Sequence, residues 1–327
     1  MRLPVRRPGE NTKSLLRMLT SILGSAMPLA KPDIDYPILQ QRYRSARSRN
    51  ISLSNGIKLH YTDNTLGPDD NRPILVMIHG LLMDLHAWDP WHERLGSEFR
   101  IITLDLPGHG LTEAPGDWPV SIERYAELIM EVVERLELAP FTLIGNSMGG
   151  NVAWTFALRY PEYLDALVLI AATGWADNRA ESQKTQTILN VAGSSVGRTL
   201  LRKMNLHGLV NDAMRDTFTP HEIPAGIVER YETLACASGH RDILLAIAAF
   251  WRQRHLASVE RLSVLALPTL IMTGDVDPLV PPEHAYLFAD AIKGSELIVY
   301  PRTGHVPMMT ASDASANDLC NWLAQAR

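Results

Sequence analysis

Between residues 74 and 170 the chain carries four short, almost wholly apolar runs: Ile74 to Ile78, Ile101 to Leu104, Phe141 to Ile144, and Ala166 to Ile170. Runs of this length without polar alternation suit strands buried on both faces, as in a parallel sheet with helices above and below. The intervening residues supply those helices. Ile122 to Leu136 places Tyr125, Leu128, Ile129, Val132 and Val133 on one face behind Ser121 as N-cap, and a second helix runs from Met148 to about Arg159. Strand alternating with helix implies right-handed crossovers, so the expected fold is α/β with a mostly parallel, doubly wound sheet. Ahead of the first run, Ile51 to Leu53 and Ile57 to Tyr61 flank Ser54-Asn55-Gly56, a hairpin signal whose Asn-Gly step tolerates positive φ.

The alternation then stops. From Trp175 to about Leu262 there are only helical patterns, separated by Gly193, Gly197, Pro220 and Pro224. Strand-like runs resume at Thr269 to Met272 and Leu297 to Tyr300, and a helix from about Ala314 to Gln325 closes the chain. The expected division is an N-terminal extension (1–47), a sheet core (48–174 and 263–327) and an inserted helical cap (175–262).

The extension differs in character. Arg2, Arg6, Arg7, Lys13 and Arg17 face a single acid, Glu10, and Leu15, Leu16, Met18, Leu19, Ile22 and Leu23 can form one face of a short amphipathic helix. The apolar stretch is too short and interrupted to span a bilayer, which takes about 20 apolar residues. It also lacks a clean small-residue cleavage site before Lys31. A docked or disordered extension is favoured over weak attachment to a membrane surface or self-association. The expected location is cytoplasmic, with peripheral membrane attachment or export through residues 1–30 as the alternative. Lys31 to Asn50 reads as a linker.

Composition narrows the function classes. A net charge of -5 gives no concentrated basic face for nucleic acid. Two cysteines, Cys236 and Cys320, make neither a disulfide framework nor a zinc site. The histidines show no ligand spacing, so no metal or cofactor is expected. Gly193 to Thr199 departs from phosphate-loop spacing and carries Arg198 where a lysine is needed, so it reads as a turn between helices.

The chemistry-bearing residues fall in loops that follow the apolar runs. Gly145-Asn146-Ser147-Met148-Gly149 matches the nucleophile-elbow pattern, weak alone but here set between a strand and a helix as the motif requires. A serine hydroxyl needs a base, and the base an orienting acid. The order on such a sheet is Ser, then acid, then His. Asp277, past the strand ending near Thr273, is the expected acid, with Asp275 as competitor; His305, within Thr303-Gly304-His305-Val306-Pro307, is the expected base. A turn after the first run, His79-Gly80-Leu81, offers the Leu81 amide beside that of Met148 as an oxyanion hole. His79 itself reads as holding that loop in place. Leu82, Trp175, Val306 and Met308 fall near the expected mouth as substrate-contacting candidates. Ile243, Leu244, Leu245, Ile247, Phe250 and Trp251 are dense enough for one helix to line a pocket on one face and pack on the core with another, or to be core throughout.

Taken together, His79-Gly80, Asp105-Leu106-Pro107-Gly108-His109-Gly110, Gly145 to Gly150, Gly274 to Asp277 with Val280-Pro281, and Gly304 to Pro307 resemble the serine hydrolases of the α/β-hydrolase superfamily, over about residues 48 to 325. The resemblance implies a Ser147–Asp277–His305 triad and a small-molecule ester substrate, and the apolar residues of the cap and the mouth point to small to medium, apolar esters. It assigns the 105–110 loop a structural place near the site. The Gly-Asn-Ser-Met-Gly-Gly string is also similar to that of meta-cleavage-product hydrolases, which split carbon–carbon bonds; those usually carry Trp directly after the histidine, where Val306 stands here. Ester hydrolysis leads. Carbon–carbon, lactone or thioester cleavage is the alternative, and a non-catalytic ligand-binding protein is the rival from another class.

Overall fold

The computed structural model describes residues 32–138, 140–177, 190–203 and 205–326. The basic, apolar segment before Lys31 therefore lies outside the described residues, as does any membrane-surface or self-association role it holds. Among the described residues no helix is long and apolar enough to cross a membrane.

Helix α1 (Tyr36–Tyr43) precedes an eight-stranded sheet made of β1 (Ser48–Ser52), β2 (Lys58–Asp63), β3 (Ile74–Ile78), β4 (Arg100–Leu104), β5 (Phe141–Asn146), β6 (Leu164–Ile170), β7 (Thr269–Gly274) and β8 (Glu296–Tyr300). Their order across the sheet is β1-β2-β4-β3-β5-β6-β7-β8. β1 and β2 pair antiparallel, as do β2 and β4, and every later pairing is parallel. The hairpin turn behaves as its residues require, with Asn55 at φ 57° and Gly56 at φ 73°. The fold is therefore α/β, with an open and mostly parallel sheet, as expected.

Helices α2 (Asp89–Leu95), α3 (Ile122–Arg135) and α4 (Met148–Arg159) cover the sheet, and Ser121 caps α3 by accepting from the Arg124 amide. Between β6 and β7 the described chain is helical: α5 (Ser195–Leu201), α6 (His207–Phe218), α7 (Ile227–Ala235), α8 (His240–Phe250) and the short α9 (Val259–Leu262). Then come α10 (Glu283–Ala291), α11 (Pro307–Thr310) and α12 (Ser312–Ala326). Two large apolar clusters form the core, one on each side of the sheet: Val76, Ile78 and Leu143 point into one, and Leu75, Met77 and Ile144 into the other. That alternation along one strand is why the runs contain so little polar character.

The linker expectation for the residues around 36–43 is corrected. That stretch is helix α1, with Leu39 buried against Leu111, Leu234 and Ala237. Ile34 bridges to Ala237, and the Tyr36 hydroxyl lies 3.1 Å from the Thr112 carbonyl and 3.0 Å from that of Ser238. One buried leucine and several polar contacts hold it, too little apolar periodicity to stand out in the sequence.

Candidate active site

Strand order reverses around β3, since β4 lies on one side of it and β5 on the other. Open α/β sheets place their sites in the crevice at the carboxyl ends of such strands. Ser147 sits there, immediately after β5, with φ 55° and ψ −117°. A non-glycine residue in this region is strained and persists only when its surroundings hold it. Here the Ser147 amide donates to the Ile170 carbonyl at 2.9 Å, and its own carbonyl accepts from the amides of Asn151 and Thr173. The flanking glycines are sterically required. A Cβ on Gly145 would stand 2.2 Å from the Gly149 carbonyl oxygen, and one on Gly149 would stand 2.4 Å from that of Ile78. Strand and helix could not close around Ser147 with anything larger.

Asp277 and His305 come from the loops after β7 and β8. The Asp277 carboxylate, buried, accepts a hydrogen bond from His305 Nδ1 at 2.7 Å through Oδ2. Its Oδ1 accepts from the amides of Leu279 and Val280 at 2.8 and 3.0 Å. A carboxylate can only accept, so Nδ1 carries the proton and Nε2 is left as the basic nitrogen. Asp275 is elsewhere: it is exposed and accepts from the Thr303 amide at 3.3 Å. The His305 loop is tied to the elbow through Asn146, whose side-chain amide donates to the His305 carbonyl at 3.1 Å and the Ile170 carbonyl at 3.2 Å.

The loop after β3 also reaches Ser147, since a Cβ on Gly80 would lie 3.1 Å from the Ser147 Cβ. Leu81 is partly exposed at its tip, and Leu82 holds φ 59°. The Met148 amide is the first of α4, and opening amides of a helix have no partner within the helix. His79 has both ring nitrogens engaged: Nδ1 donates to the Gly80 carbonyl at 2.7 Å, and Nε2 accepts from the Leu106 amide at 3.1 Å. Burial pushes its imidazole below the ordinary value, as suits this neutral tautomer. His79 thus holds the loop and offers no free nitrogen.

Two features were not legible in the sequence. Asp105 is fully buried and gathers the Leu85 amide (2.8 Å), the Leu111 amide (2.8 Å) and His60 Nδ1 (2.6 Å). Burial opposes its charge, but His60 and these donors outweigh it and hold the carboxyl below the usual range. Asp84, in the loop beside Leu81, is paired with Arg230 of α7. Sequence spacing carries no signal for either partnership.

Beside Leu81 and Leu82 lies a cavity of about 270 Å³, walled also by Leu206 and Leu209 from around α6 and by Leu244 and Leu245 from α8. Arg202 and Arg241 stand on its wall, and both pair with Asp33. A wider groove of about 850 Å³, bordered by Trp118, Arg198 and Asp242, contains none of the residues around Ser147. The substrate-contact candidates separate. Leu82 lines the small cavity. Trp175 packs edge-on against Phe288. Val306 and Met308 are fully buried in the apolar cluster with Trp88 and Met214, because the chain turns into α11 directly after His305.

Residues 73–312 match the family model for the alpha/beta hydrolase fold. The chain belongs to the α/β-hydrolase family. Several of the proteins it is similar to are named as hydrolases, of different kinds. The chain is 28% identical over 257 residues to a 2-hydroxymuconate semialdehyde hydrolase from a Pseudomonas species, covering 77% of this chain and 87% of that one. It is 25% identical over 289 residues to a monoacylglycerol lipase from Xenopus laevis, covering 86% and 84%. Among solved structures it is similar to a thermophilic esterase from Thermogutta terrifontis, with a TM-score of 0.71, 25% identity, and coverage of 86% and 99%.

Proposed function

We propose that this α/β hydrolase is a serine carboxylesterase acting on small to medium apolar esters. The observation that carries the reading is the buried Asp277–His305 bond of 2.7 Å, tied through Asn146 to the strained Ser147 elbow. In this reading His305 Nε2 takes the Ser147 proton as Oγ attacks the ester carbonyl. The amides of Leu81 and Met148 receive the developing oxyanion. The C–O bond then breaks, His305 protonates the departing alcohol, and water hydrolyses the acyl-enzyme by the same route in reverse. Asp277 holds the ring in the required tautomer and stabilises the imidazolium. The leucine-lined cavity beside Leu81 supplies the acyl subsite.

A fluorophosphonate probe is expected to label Ser147 in the wild type, with Ser147→Ala abolishing both labelling and hydrolysis of p-nitrophenyl esters. Folded wild-type protein that takes no label would move the reading to a non-catalytic binding protein. The substrate panel should include a ring-fission dienoate of the kind cleaved at a carbon–carbon bond, because of the similarity to the semialdehyde hydrolase. Faster turnover of that compound than of any ester would overturn the ester assignment, and best turnover on charged or sugar esters would overturn the apolar subsite.

A further inference from the structure

The loop carrying Leu81 is held at several points. His79 ties its start to Leu106, the Met83 amide donates to the Gly80 carbonyl at 3.3 Å, and the Leu85 amide donates to Asp105 at 2.8 Å. Between these anchors Leu82 keeps a left-handed backbone, which a non-glycine residue does only under constraint. The remaining anchor comes from outside the sheet core. Asp84 accepts its own chain's His86 amide on Oδ1 at 3.0 Å, and on Oδ2 it accepts from Arg230 Nε at 2.7 Å. Arg230 belongs to α7 in the helical insertion. Both partners are largely withdrawn from water, with side-chain exposures of 2% for Asp84 and 22% for Arg230. The Arg230 guanidinium also lies over the Tyr43 ring of α1, 5.2 Å from its centroid. Three parts of the chain therefore converge on one ion pair: the lead-in helix, the insertion, and the loop against Ser147.

We infer that Arg230 is a positioning residue: through Asp84 it fixes the Leu81 amide where an oxyanion develops, so the insertion takes part in preorganising the site. The inference rests on the reading that Leu81 and Met148 form the oxyanion hole. Its physical basis is the steep dependence of such stabilisation on donor placement. Removing Arg230 leaves a buried carboxylate without its counter-charge two residues after the strained Leu82, and that carboxylate gains by turning outward. The loop then loses its Asp84 restraint and Leu81 drifts. The exposed neighbouring pair, Arg42–Glu229, links the same two helices without touching the loop and serves as a control.

The test compares wild type with Arg230→Met, Arg230→Lys, Asp84→Asn, the Asp84→Asn/Arg230→Met double variant and Glu229→Gln. It measures kcat and KM on a p-nitrophenyl ester, affinity for an alkyl trifluoromethyl ketone that mimics the tetrahedral adduct, and affinity for octanoate as a ground-state ligand. Arg230→Met is expected to lower kcat by about 10- to 100-fold, with KM within about threefold. Ketone affinity should fall in step with kcat while octanoate affinity holds. The double variant should be no worse than Arg230→Met alone, because both act through one contact. Arg230→Lys should recover part of the rate, and Glu229→Gln should match wild type. Unchanged kcat, equal loss of ketone and octanoate affinity, or multiplying losses in the double variant would each overturn the inference. Should Arg230→Met fail to accumulate as folded protein, the Asp84→Asn/Arg230→Met double variant, which leaves no unpaired buried charge, decides: wild-type ketone affinity there overturns it. Wild type that takes no fluorophosphonate sinks the esterase reading. Wild type and Arg230→Met labelling at equal rates sinks only the positioning role.

Discussion

Asp275 and Asp277 stand two positions apart in one loop, and their surroundings separate them completely. Asp277 faces His305 from a buried position with two backbone donors on its other oxygen, whereas Asp275 is exposed and bonds the Thr303 amide. If Asp277 orients the base, Asp277→Asn lowers kcat by about 10³- to 10⁴-fold, since an amide disfavours the required tautomer. Asp275→Asn changes activity by less than about threefold, as expected of an exposed side chain with one long hydrogen bond. Both are read from kcat on a common ester at neutral pH. A larger loss in the Asp275 variant would reverse the assignment.

At the scale of elements, α8 shows how one helix serves two surfaces. Ile243 and Ile247, four residues apart, are buried in the core, while Leu244, Leu245 and Ala248 line the cavity. The 3.6-residue period makes this division possible. The sequence showed the apolar density but not its partition, because every position from Ile243 to Phe250 is apolar and no polar stripe marks a boundary. Substitutions should therefore split by face. Ile247→Ala costs about 2–5 kcal/mol of stability in urea unfolding, the usual range for emptying a core site. Ala248→Phe should leave the fold intact and shift the best p-nitrophenyl ester to a shorter acyl chain; an unchanged chain-length optimum would remove the cavity from the acyl-subsite reading. By contrast α3 was readable almost to the residue, since its polar and apolar faces alternate cleanly and Ser121 caps it.

Over the whole molecule, the loops behind the site bury imidazoles. His79 and His109 lie with ring centroids 5.0 Å apart, and burial is the main cause lowering both below the ordinary histidine value, His109 furthest. In the unfolded chain they titrate near ~6.5. Below that pH the unfolded state binds protons that the folded state refuses, so stability is complete above about 6.5 and declines as pH falls towards the folded values. The melting temperature is expected to drop between pH 7 and pH 5, with a shallower drop in His109→Gln. A melting temperature that stays constant over that range would contradict this account.

The apolar runs, the glycine-flanked serine turn and the order of the loops were all encoded in consecutive residues. Strand burial, helix period and turn sterics are local demands that a sequence must satisfy where they occur. These sufficed for the mostly parallel sheet, for Ser147 at its elbow, and for the segments carrying Asp277 and His305. Only the tertiary structure decided which aspartate meets His305, that Val306 and Met308 are core, that residues 36–43 form a docked helix, and that Arg230 reaches Asp84 across 146 positions. Those outcomes depend on how separate elements pack, and packing places side chains by the shape and charge of partners distant in the chain.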